Sequence, residues 1–261
     1  MNVATDDIVS RFRVDGRVAL VTGAGRGIGR SVALALAQAG AEVWLVARTQ
    51  TEIDSAASEI RAAGGRAHAA VCDVTNAAAV TRIFAGIPAL DILINNAGMN
   101  IPEPFVDVSE EHFDRMLGLN VKAAFLVAQA AARKMLEAAD RTARGGAIVN
   151  ISSQMGHVGA VGRSVYCLTK HALEGLTKAV ALELAPRNIR VNSVAATFVE
   201  TPMTAPMLAK PEFSRWVHDR IPLGRLGRLD EVVSAVLFAA SPASSLMTGT
   251  SLVIDGGWTA Q

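Results

Sequence analysis

The chain has 261 residues, a length that suits a single α/β domain. Its 25 Lys and Arg residues nearly balance 24 Asp and Glu residues, which argues against a general nucleic-acid binder or a polybasic membrane protein. Hydrophobic residues make up 51% but aromatic residues only 5%, and 46 alanines with 22 glycines indicate helices packed closely against a sheet. The apolar content excludes a disordered chain.

The two cysteines, Cys72 and Cys167, are too few for a disulfide framework, and no Cys/His cluster indicates a metal site. The segment 1–13 has no apolar core typical of a signal peptide, and no apolar run reaches the length of a membrane span. We therefore expect free thiols, no metal, no membrane or nucleic-acid partner, and a cytoplasmic protein.

Short apolar runs alternate with longer helical stretches along the chain. The runs predict strands at residues 17–21, 42–46, 67–72, 90–94, 147–151, 190–194 and 251–254. Helices are predicted from the glycine-rich segment to about residue 40, and at 51–63, 76–84, 109–139 (capped by Ser109), 164–185 and 230–240. The segment 195–229 carries four prolines and is predicted to be mostly irregular, with residues 201 to about 217 irregular or partly helical. We expect a substrate lid around 197–225.

This alternation predicts a doubly wound, Rossmann-like α/β fold, because parallel strands need helical crossovers. The strands lack polar alternation, which is typical of a sheet covered by helices on both faces. Seven strands in one parallel sheet account for the whole length, so we expect one domain, residues 1–261.

A glycine-rich loop follows the first predicted strand and opens the first helix. Glycine allows a tight turn and close approach of backbone N–H groups to a phosphate, and the helix start adds positive dipole. The spacing is Gly-x-x-x-Gly-x-Gly, and the alternative is a glycine-rich turn without a ligand. The candidate cofactor-binding residues here are Thr22, Gly23, Gly25, Arg26, Gly27, Ile28 and Gly29.

The end of the second strand indicates which dinucleotide binds. An acidic side chain there usually holds a ribose 2′-hydroxyl, but here Ala47 is followed by Arg48. Arg48 and Arg26 would suit a 2′-phosphate, because a guanidinium binds phosphate with a planar fork. The sequence therefore favours NADP(H). The alternative is that Arg48 is a solvated surface residue and the cofactor is NAD(H).

Tyr166, the only tyrosine, precedes Lys170 by one helical turn, so both head groups can reach one site. A cation near a phenol favours the phenolate, which would lower the pKa of Tyr166 and suit acid/base chemistry. Ser153 follows the fifth strand, the run Asn95-Asn96-Ala97-Gly98 follows the fourth, and Asn120 lies in the next helix. All are predicted at the carboxyl edge of the sheet, where open α/β sheets bind ligands.

These residues together resemble the short-chain dehydrogenase/reductases over residues 14–258. The motifs that carry the resemblance are the loop 22–29, Asp73-Val74, Asn95 to Gly98, Asn120, Ser153, Tyr166, Lys170 and Asp255-Gly256-Gly257. The resemblance implies a catalytic domain that transfers hydride between a nicotinamide and a carbonyl or secondary alcohol. It also implies a homotetramer or dimer, built from the long helices and the last strand.

The resemblance implies a role for each matching residue. Tyr166 would be the general acid/base, Ser153 would orient the reacting oxygen, and Asn120 would hold a water in a proton relay. Lys170 would bind the nicotinamide ribose and lower the pKa of Tyr166. Further cofactor contacts would come from Asp73 and Val74 at the adenine, from Asn96 with Ala97 and Gly98, and from Thr201 at the carboxamide.

One departure lies after the sixth strand, where Ala196-Thr197 replaces the family's usual Pro-Gly, so the loop beside the nicotinamide can differ in shape. Apolar lid residues can close over a substrate or simply pack: Met203, Met207, Leu208, Phe213 and Trp216. Polar residues predicted near the catalytic edge favour a sugar, polyol, or hydroxy or keto acid, although each also fits a surface position: Gln154, His157, Arg163 and Glu200.

Two alternatives stay open at this point. A 3-oxoacyl carrier-protein reductase would use basic residues for docking; Leu182 before Glu183 counts against it, while Arg141 and Arg144 supply nearby positive charge. A nucleotide-binding sensor or assembly protein without chemistry is the other, and the intact Ser153, Tyr166 and Lys170 argue against it.

Overall fold

The computed structural model describes residues 7–261, so the first six residues of the N-terminal segment 1–13 lie outside it. The strands are β1 (Val18–Thr22), β2 (Glu42–Ala47), β3 (Arg66–Val71), β4 (Ile92–Asn95), β5 (Gly146–Ile151), β6 (Ile189–Ala196) and β7 (Ser251–Ile254). They form one sheet in the order β3-β2-β1-β4-β5-β6-β7, and all neighbouring strands are parallel. The predicted fold class and seven-stranded sheet are confirmed.

The helices cover both faces of this sheet. They are α1 (Gly27–Gln38), α2 (Gln50–Ala62), α3 (Ala77–Gly86), α4 (Glu110–Leu117), α5 (Ala124–Leu136), α6 (Arg141–Arg144), α7 (Ser164–Leu184), α8 (Ala205–Leu208), α9 (Pro211–Arg220) and α10 (Leu229–Ala240). Helices α1, α2 and α10 bury apolar residues in one core layer, and α3, α5 and α7 do so in the other. None of the helices in residues 7–261 is both long and apolar enough to cross a bilayer.

The helix predicted for residues 109–139 is interrupted. Ser109 caps its start by accepting a hydrogen bond from the amide of His112 at 3.2 Å, as predicted. Between α4 and α5, however, residues Gly118–Ala123 form a turn of π-helix. A π-helical turn is wider than an α-helical turn, so it changes the direction in which its side chains point. Such turns are common at functional sites. It carries Asn120, which is buried.

The segment predicted as a lid contains the short helices α8 and α9, which agrees with the partly helical alternative predicted for residues 201 to about 217. Phe198, Val217 and Ile221 form a buried cluster with Trp258 from the C-terminal segment, and Leu208, Phe213 and Trp216 pack against it. These aromatic and aliphatic contacts place the segment beside Tyr166, which belongs to the same cluster. Opening and closing of this segment stays a prediction.

Candidate active site

The order of the strands determines where a ligand can bind. From β1 the chain crosses first to β2 and β3 on one side, and later to β4 and the remaining strands on the other. The crossovers therefore diverge between β1 and β4, which opens a crevice at the carboxyl ends of these strands. The loop 22–29 and the segment 95–98 border this crevice.

The glycine loop is built so that side chains would obstruct it. Gly23 and Gly27 have φ values of +64° and +55°, which strongly favour glycine. A Cβ atom on Gly29 would collide with the carbonyl oxygen of Gly23, and one on Gly23 would lie 2.9 Å from the amide nitrogen of Asn96. The resulting backbone cradle at the start of α1 fits a dinucleotide pyrophosphate.

Thr22 and Asn96 hold the loop against the end of β4. The Thr22 hydroxyl accepts hydrogen bonds from the amides of Asn96 at 2.9 Å and Ala97 at 3.0 Å. The Asn96 side-chain amide donates to the carbonyl oxygens of Thr22 at 2.9 Å and Gly23 at 3.3 Å. Their side chains therefore shape the cofactor loop, and direct contact with a cofactor stays a prediction.

Arg26 and Arg48 lie at the predicted adenosine end of the crevice. Both are exposed, and neither side chain makes an ion pair or hydrogen bond within residues 7–261. Arg48 lies close enough to Asp73 to help lower the pKa of that carboxyl, although the hydrogen bonds from Thr75 lower it more. Val74, beside Asp73, is buried. Arg48, predicted to contact a 2′-phosphate, and Asp73, predicted to contact adenine, are therefore neighbours.

Glu52 is a residue that the sequence did not single out. Its side chain lies against the glycine loop, because a Cβ on Gly25 would be 2.5 Å from a carboxylate oxygen of Glu52. Glu52 lies in the first turn of α2, directly after the strand end that carries Arg48. Its spacing from Arg48 is the only signal that could have pointed to it.

Ser153, Tyr166 and Lys170 come together at the end of β5. Ser153 is buried and accepts a hydrogen bond from the amide of Met155 at 3.2 Å. Tyr166 lies in the first turn of α7, and the Lys170 ammonium is 5.6 Å from the centre of its ring. The ammonium donates to the carbonyl oxygen of Ile151 at 2.8 Å. The three side chains predicted to be catalytic therefore lie close together.

The pKa of the tyrosine differs from the sequence-based expectation. Burial raises the pKa of Tyr166 to about 12, and hydrogen bonding with Ser153 opposes that rise only in part. Burial also lowers the pKa of Lys170 to about 8, against the attraction of Glu174. The expected lowering of the phenol pKa by Lys170 is not found, because desolvation outweighs the neighbouring groups in this structure.

Asn120 connects the β4 loop to α7. Its side-chain oxygen accepts from the amide of Met99 at 2.8 Å, and its amide donates to the Met99 carbonyl at 2.8 Å and to the Thr169 hydroxyl at 3.2 Å. The Thr169 hydroxyl in turn donates to the carbonyl of Tyr166 at 2.8 Å. Asn120 therefore helps to position α7, and its role in holding a water stays a prediction.

Glu174 is a second residue that sequence reasoning missed. It is buried one turn after Lys170 on α7, and accepts a hydrogen bond from the Ser193 hydroxyl at 2.6 Å. Its other oxygen lies 3.7 Å from the imidazole of His157. The i, i+4 spacing from Lys170 is a signal in the sequence that could have found it.

Thr201 faces the glycine loop across the crevice, since its Cβ lies 3.8 Å from the position that a Cβ on Gly27 would take. Its amide and hydroxyl bond to the Thr204 hydroxyl at 3.0 and 3.1 Å. At the departure noted above, the amide of Thr197 bonds to the carbonyl of Ile254 at 3.0 Å, so β6 and β7 remain joined there. Ala196 and Thr197 therefore leave the strand end intact.

Of the other polar residues considered for substrate, Gln154 and Arg163 are buried and Glu200 is exposed. His157 bonds to the Ser251 hydroxyl at 2.9 Å and lies on the Glu174 side of α7. The structure thus keeps Gln154 and Arg163 as candidates for the substrate wall, whereas Glu200 points to solvent.

A dinucleotide cradle beside a serine, a tyrosine and a lysine defines a nicotinamide-dependent oxidoreductase. The family model described as "Enoyl-(Acyl carrier protein) reductase" matches residues 23–259. The chain is 42% identical to L-xylulose reductase of Bos taurus, over 95% of this chain and 99% of the relative.

Solved structures agree with this match. A short-chain type dehydrogenase/reductase from Mycobacterium marinum superimposes with a TM-score of 0.90 and 40% identity, covering 97% of this chain and 100% of that one. A gluconate 5-dehydrogenase from Burkholderia cenocepacia, in complex with NADP and tartrate, gives a TM-score of 0.91 at 36% identity, covering 97% and 99%. The chain belongs to the short-chain dehydrogenase/reductase family. It is an NAD(P)-dependent oxidoreductase that acts on CH–OH and C=O groups.

Proposed function

We propose that the protein is an NADP(H)-preferring oxidoreductase that interconverts a secondary alcohol and a carbonyl in a small polar substrate. The substrate class is a sugar, a polyol, or a hydroxy or keto acid. The observation that carries the proposal is the grouping of Ser153, Tyr166 and Lys170 beside the glycine loop. The names of the relatives, a reductase of L-xylulose and a dehydrogenase of gluconate, support the substrate class.

Four residues of the site have distinct roles in the proposed reaction. A bound oxidised cofactor would supply the hydride acceptor for the alcohol carbon. Ser153 donates a hydrogen bond to the reacting oxygen, and Tyr166 removes the hydroxyl proton during oxidation or returns it during reduction. Lys170, held by the carbonyl of Ile151, binds the nicotinamide ribose, and Asn120 holds a water that links the site to solvent.

The preference for NADP(H) is supported by Arg26 and Arg48. Arg48 is exposed directly after β2, where Ala47 stands in place of an acidic residue, and Arg26 is exposed in the glycine loop at the start of α1. The remaining cofactor contacts in this proposal come from the glycine loop, Asp73, Val74, Asn96, Ala97, Gly98 and Thr201. The solved relative that contains NADP supports the same preference.

We also propose a homo-oligomer, a tetramer or else a dimer. Phe125 on α5 and Leu168 and Leu182 on α7 are exposed apolar side chains on the two long helices. A second copy would cover such residues. The free thiols of Cys72 and Cys167 support a reducing location such as the cytoplasm. A light-scattering mass equal to one subunit would contradict the oligomer.

Arg141 and Arg144, whose positive charge could favour a carrier protein, are not free for such docking. The Arg141 side chain is buried, and Arg141 and Arg144 both bond to Asp91 at the opposite edge of the sheet. They are therefore engaged within the protein, and Leu182 is exposed where a basic residue would help docking. No observation in the site favours a long acyl substrate over a small polar one.

The experiment that tests the proposal is a steady-state screen of sugars, polyols, sugar acids and simple ketones with NADPH, NADH and their oxidised forms. We expect turnover of at least one polar substrate and a higher kcat/KM with the 2′-phosphorylated cofactor. Tight cofactor binding without turnover of any substrate in the panel would contradict the proposed function.

A further inference from the structure

Arg163 is a buried cation without a counter-ion, one turn before the catalytic tyrosine. Its side chain is almost fully buried, with 7% of the residue exposed. One terminal nitrogen donates to the carbonyl oxygen of Gly162 at 3.0 Å, and the other contacts the Met207 sulfur at 3.1 Å. The Nε–H has no hydrogen-bond partner within the described residues.

No neighbouring carboxylate in the described residues neutralises the charge of Arg163. Within residues 7–261 no carboxylate lies within 4.0 Å of its guanidinium, unlike the arginines that contact Asp91. Burial lowers the pKa of Arg163, yet arginine remains charged at any physiological pH. A buried charge without a partner is costly, so such a group is expected where an anion binds.

The surroundings would strengthen an ionic bond. The guanidinium carbon lies 5.8 Å from the ring centre of Phe213 on α9, and Met207 on α8 is its other neighbour. Both belong to the segment predicted as a lid. An apolar wall reduces the effective dielectric constant around the guanidinium and therefore raises its attraction for an anion.

Arg163 is also close to the reacting groups. Its positive charge acts on the pKa of Tyr166, three residues later on α7. Arg163 directly precedes α7, whose first turn carries Tyr166. Its guanidinium faces Phe213, which packs in the same cluster as Tyr166, so one small molecule can contact both side chains. Gln154, next to Ser153, is 1% exposed, and neither atom of its amide has a partner in the described residues.

We propose that Arg163 binds a carboxylate of the substrate, so that the enzyme acts on small hydroxy acids or sugar acids in preference to neutral polyols. This proposal rests on the proposed function and specifies its substrate class. Gln154 would bond to a substrate hydroxyl or to the same carboxylate.

The carboxylate does not change during the reaction. A bound NADP⁺ would supply the hydride acceptor for the alcohol carbon, and Tyr166 would act as the base that takes the hydroxyl proton. The products are a keto acid and NADPH, and the proton then leaves to solvent. Arg163 positions the substrate through its carboxylate and takes no part in proton transfer.

The test compares matched acid and neutral substrates, gluconate with glucitol and tartrate with threitol, in three variants. Arg163→Met removes the charge, Arg163→Lys keeps it without the planar fork, and Arg187→Met is the control because Arg187 is exposed and distant. We expect the wild type to prefer acids. Loss of a charged hydrogen-bonding partner in Arg163→Met should lower kcat/KM for the acid about 30- to 100-fold. For the neutral partner it should change less than about 3-fold.

A binding measurement provides a readout besides turnover. Calorimetry should detect tartrate binding to the wild type and to Arg187→Met with NADP⁺ present, and no binding to Arg163→Met at the same concentrations. Unchanged affinity for NADP⁺ will show that Arg163→Met is folded. If that variant does not fold, Arg163→Lys should still lose acid turnover selectively.

The outcomes separate the two proposals. Turnover of neutral polyols that exceeds acid turnover, or an equal loss for both substrates in Arg163→Met, would overturn the carboxylate site while the oxidoreductase function stands. Absence of turnover for acids and neutral substrates alike would contradict the proposed function and this inference together.

Discussion

The ammonium of Lys170 lies 2.8 Å from the carbonyl oxygen of Ile151, the last residue of β5. This bond ties α7 to the strand that leads into Ser153. Since Tyr166 lies one turn before Lys170 on the same helix, the bond also determines where the phenol stands relative to Ser153. The end of β5 therefore fixes the positions of the three predicted catalytic residues relative to one another.

Replacing Tyr166 with Phe removes the hydroxyl and keeps the ring in its apolar cluster. We expect kcat to fall about 10²- to 10⁴-fold, the usual contribution of a general acid/base. Cofactor affinity, measured by quenching of protein fluorescence, should change little because the glycine loop is untouched. Activity within tenfold of the wild type would show that Tyr166 is not the acid/base.

Lys170 makes the stability of the protein depend on pH. Burial lowers the pKa of Lys170 from 10.5 to about 8, so between these values the unfolded chain holds more protons than the folded one. The free energy of unfolding contributed by this group therefore increases as the pH rises from about 8 to 10.5.

Chemical denaturation of the wild type and of Lys170→Met over this pH range will measure that contribution. The stability of the wild type relative to the variant should improve with rising pH. Lys178→Met, an exposed position on the same helix, is the control and should show no such trend. A flat difference between wild type and Lys170→Met would contradict the lowered pKa of Lys170.

Arg48→Asp should reverse the cofactor preference. An acidic side chain repels a 2′-phosphate and can accept a hydrogen bond from a ribose hydroxyl. We expect kcat/KM for NADPH to fall about 10- to 100-fold, the loss typical of a charged hydrogen bond. The value for NADH should hold or rise. Arg187→Asp is the matched control, and a preference unchanged by Arg48→Asp would assign the 2′-phosphate to other residues.

Asp91 should stabilise the fold from the edge opposite the active site. Its side chain is 1% exposed, accepts hydrogen bonds from Arg141 and Arg144, and lies 3.6 Å from Arg17. Asp91→Asn leaves the buried Arg141 and the half-buried Arg144 without their carboxylate, which should cost about 3 kcal/mol in the free energy of unfolding.

Urea denaturation measures that cost, with Glu183→Gln as an exposed control. The kcat/KM of the folded Asp91→Asn enzyme should stay near that of the wild type, because the site lies at the other end of the strands. A stability change below ~1 kcal/mol would show that the arginines find other partners.

Much of the site followed from local patterns. The strands and their order of appearance were predictable from apolar runs between helical segments, and each lies within two residues of its predicted ends. Tyr166 and Lys170 were predictable as neighbours because helical spacing alone places them on one face. The glycine loop was predictable from its Gly-x-x-x-Gly-x-Gly spacing between a strand and a helix, and the positive φ angles of Gly23 and Gly27 explain why glycine is needed there.

Other features depend on segments that are distant in the chain. The sequence alone suggests that Arg141 and Arg144 are free surface charges. In the structure both bond to Asp91, which precedes Arg141 by 50 residues and Arg144 by 53. The π-turn at Gly118–Ala123 has no clear local pattern, and it forms where Asn120 reaches Met99 and Thr169.

The sequence by itself determined the fold class, the glycine loop and the candidate catalytic residues, since these depend on periodicity and on short spacings along the chain. Only the tertiary structure decided the charge state of the site. It buried Lys170 and partly buried Tyr166, so that desolvation shifts both pKa values, and enclosed Arg163 beside Met207 and Phe213 without a carboxylate. Burial and pairing arise from packing between distant segments, and no local pattern encodes them.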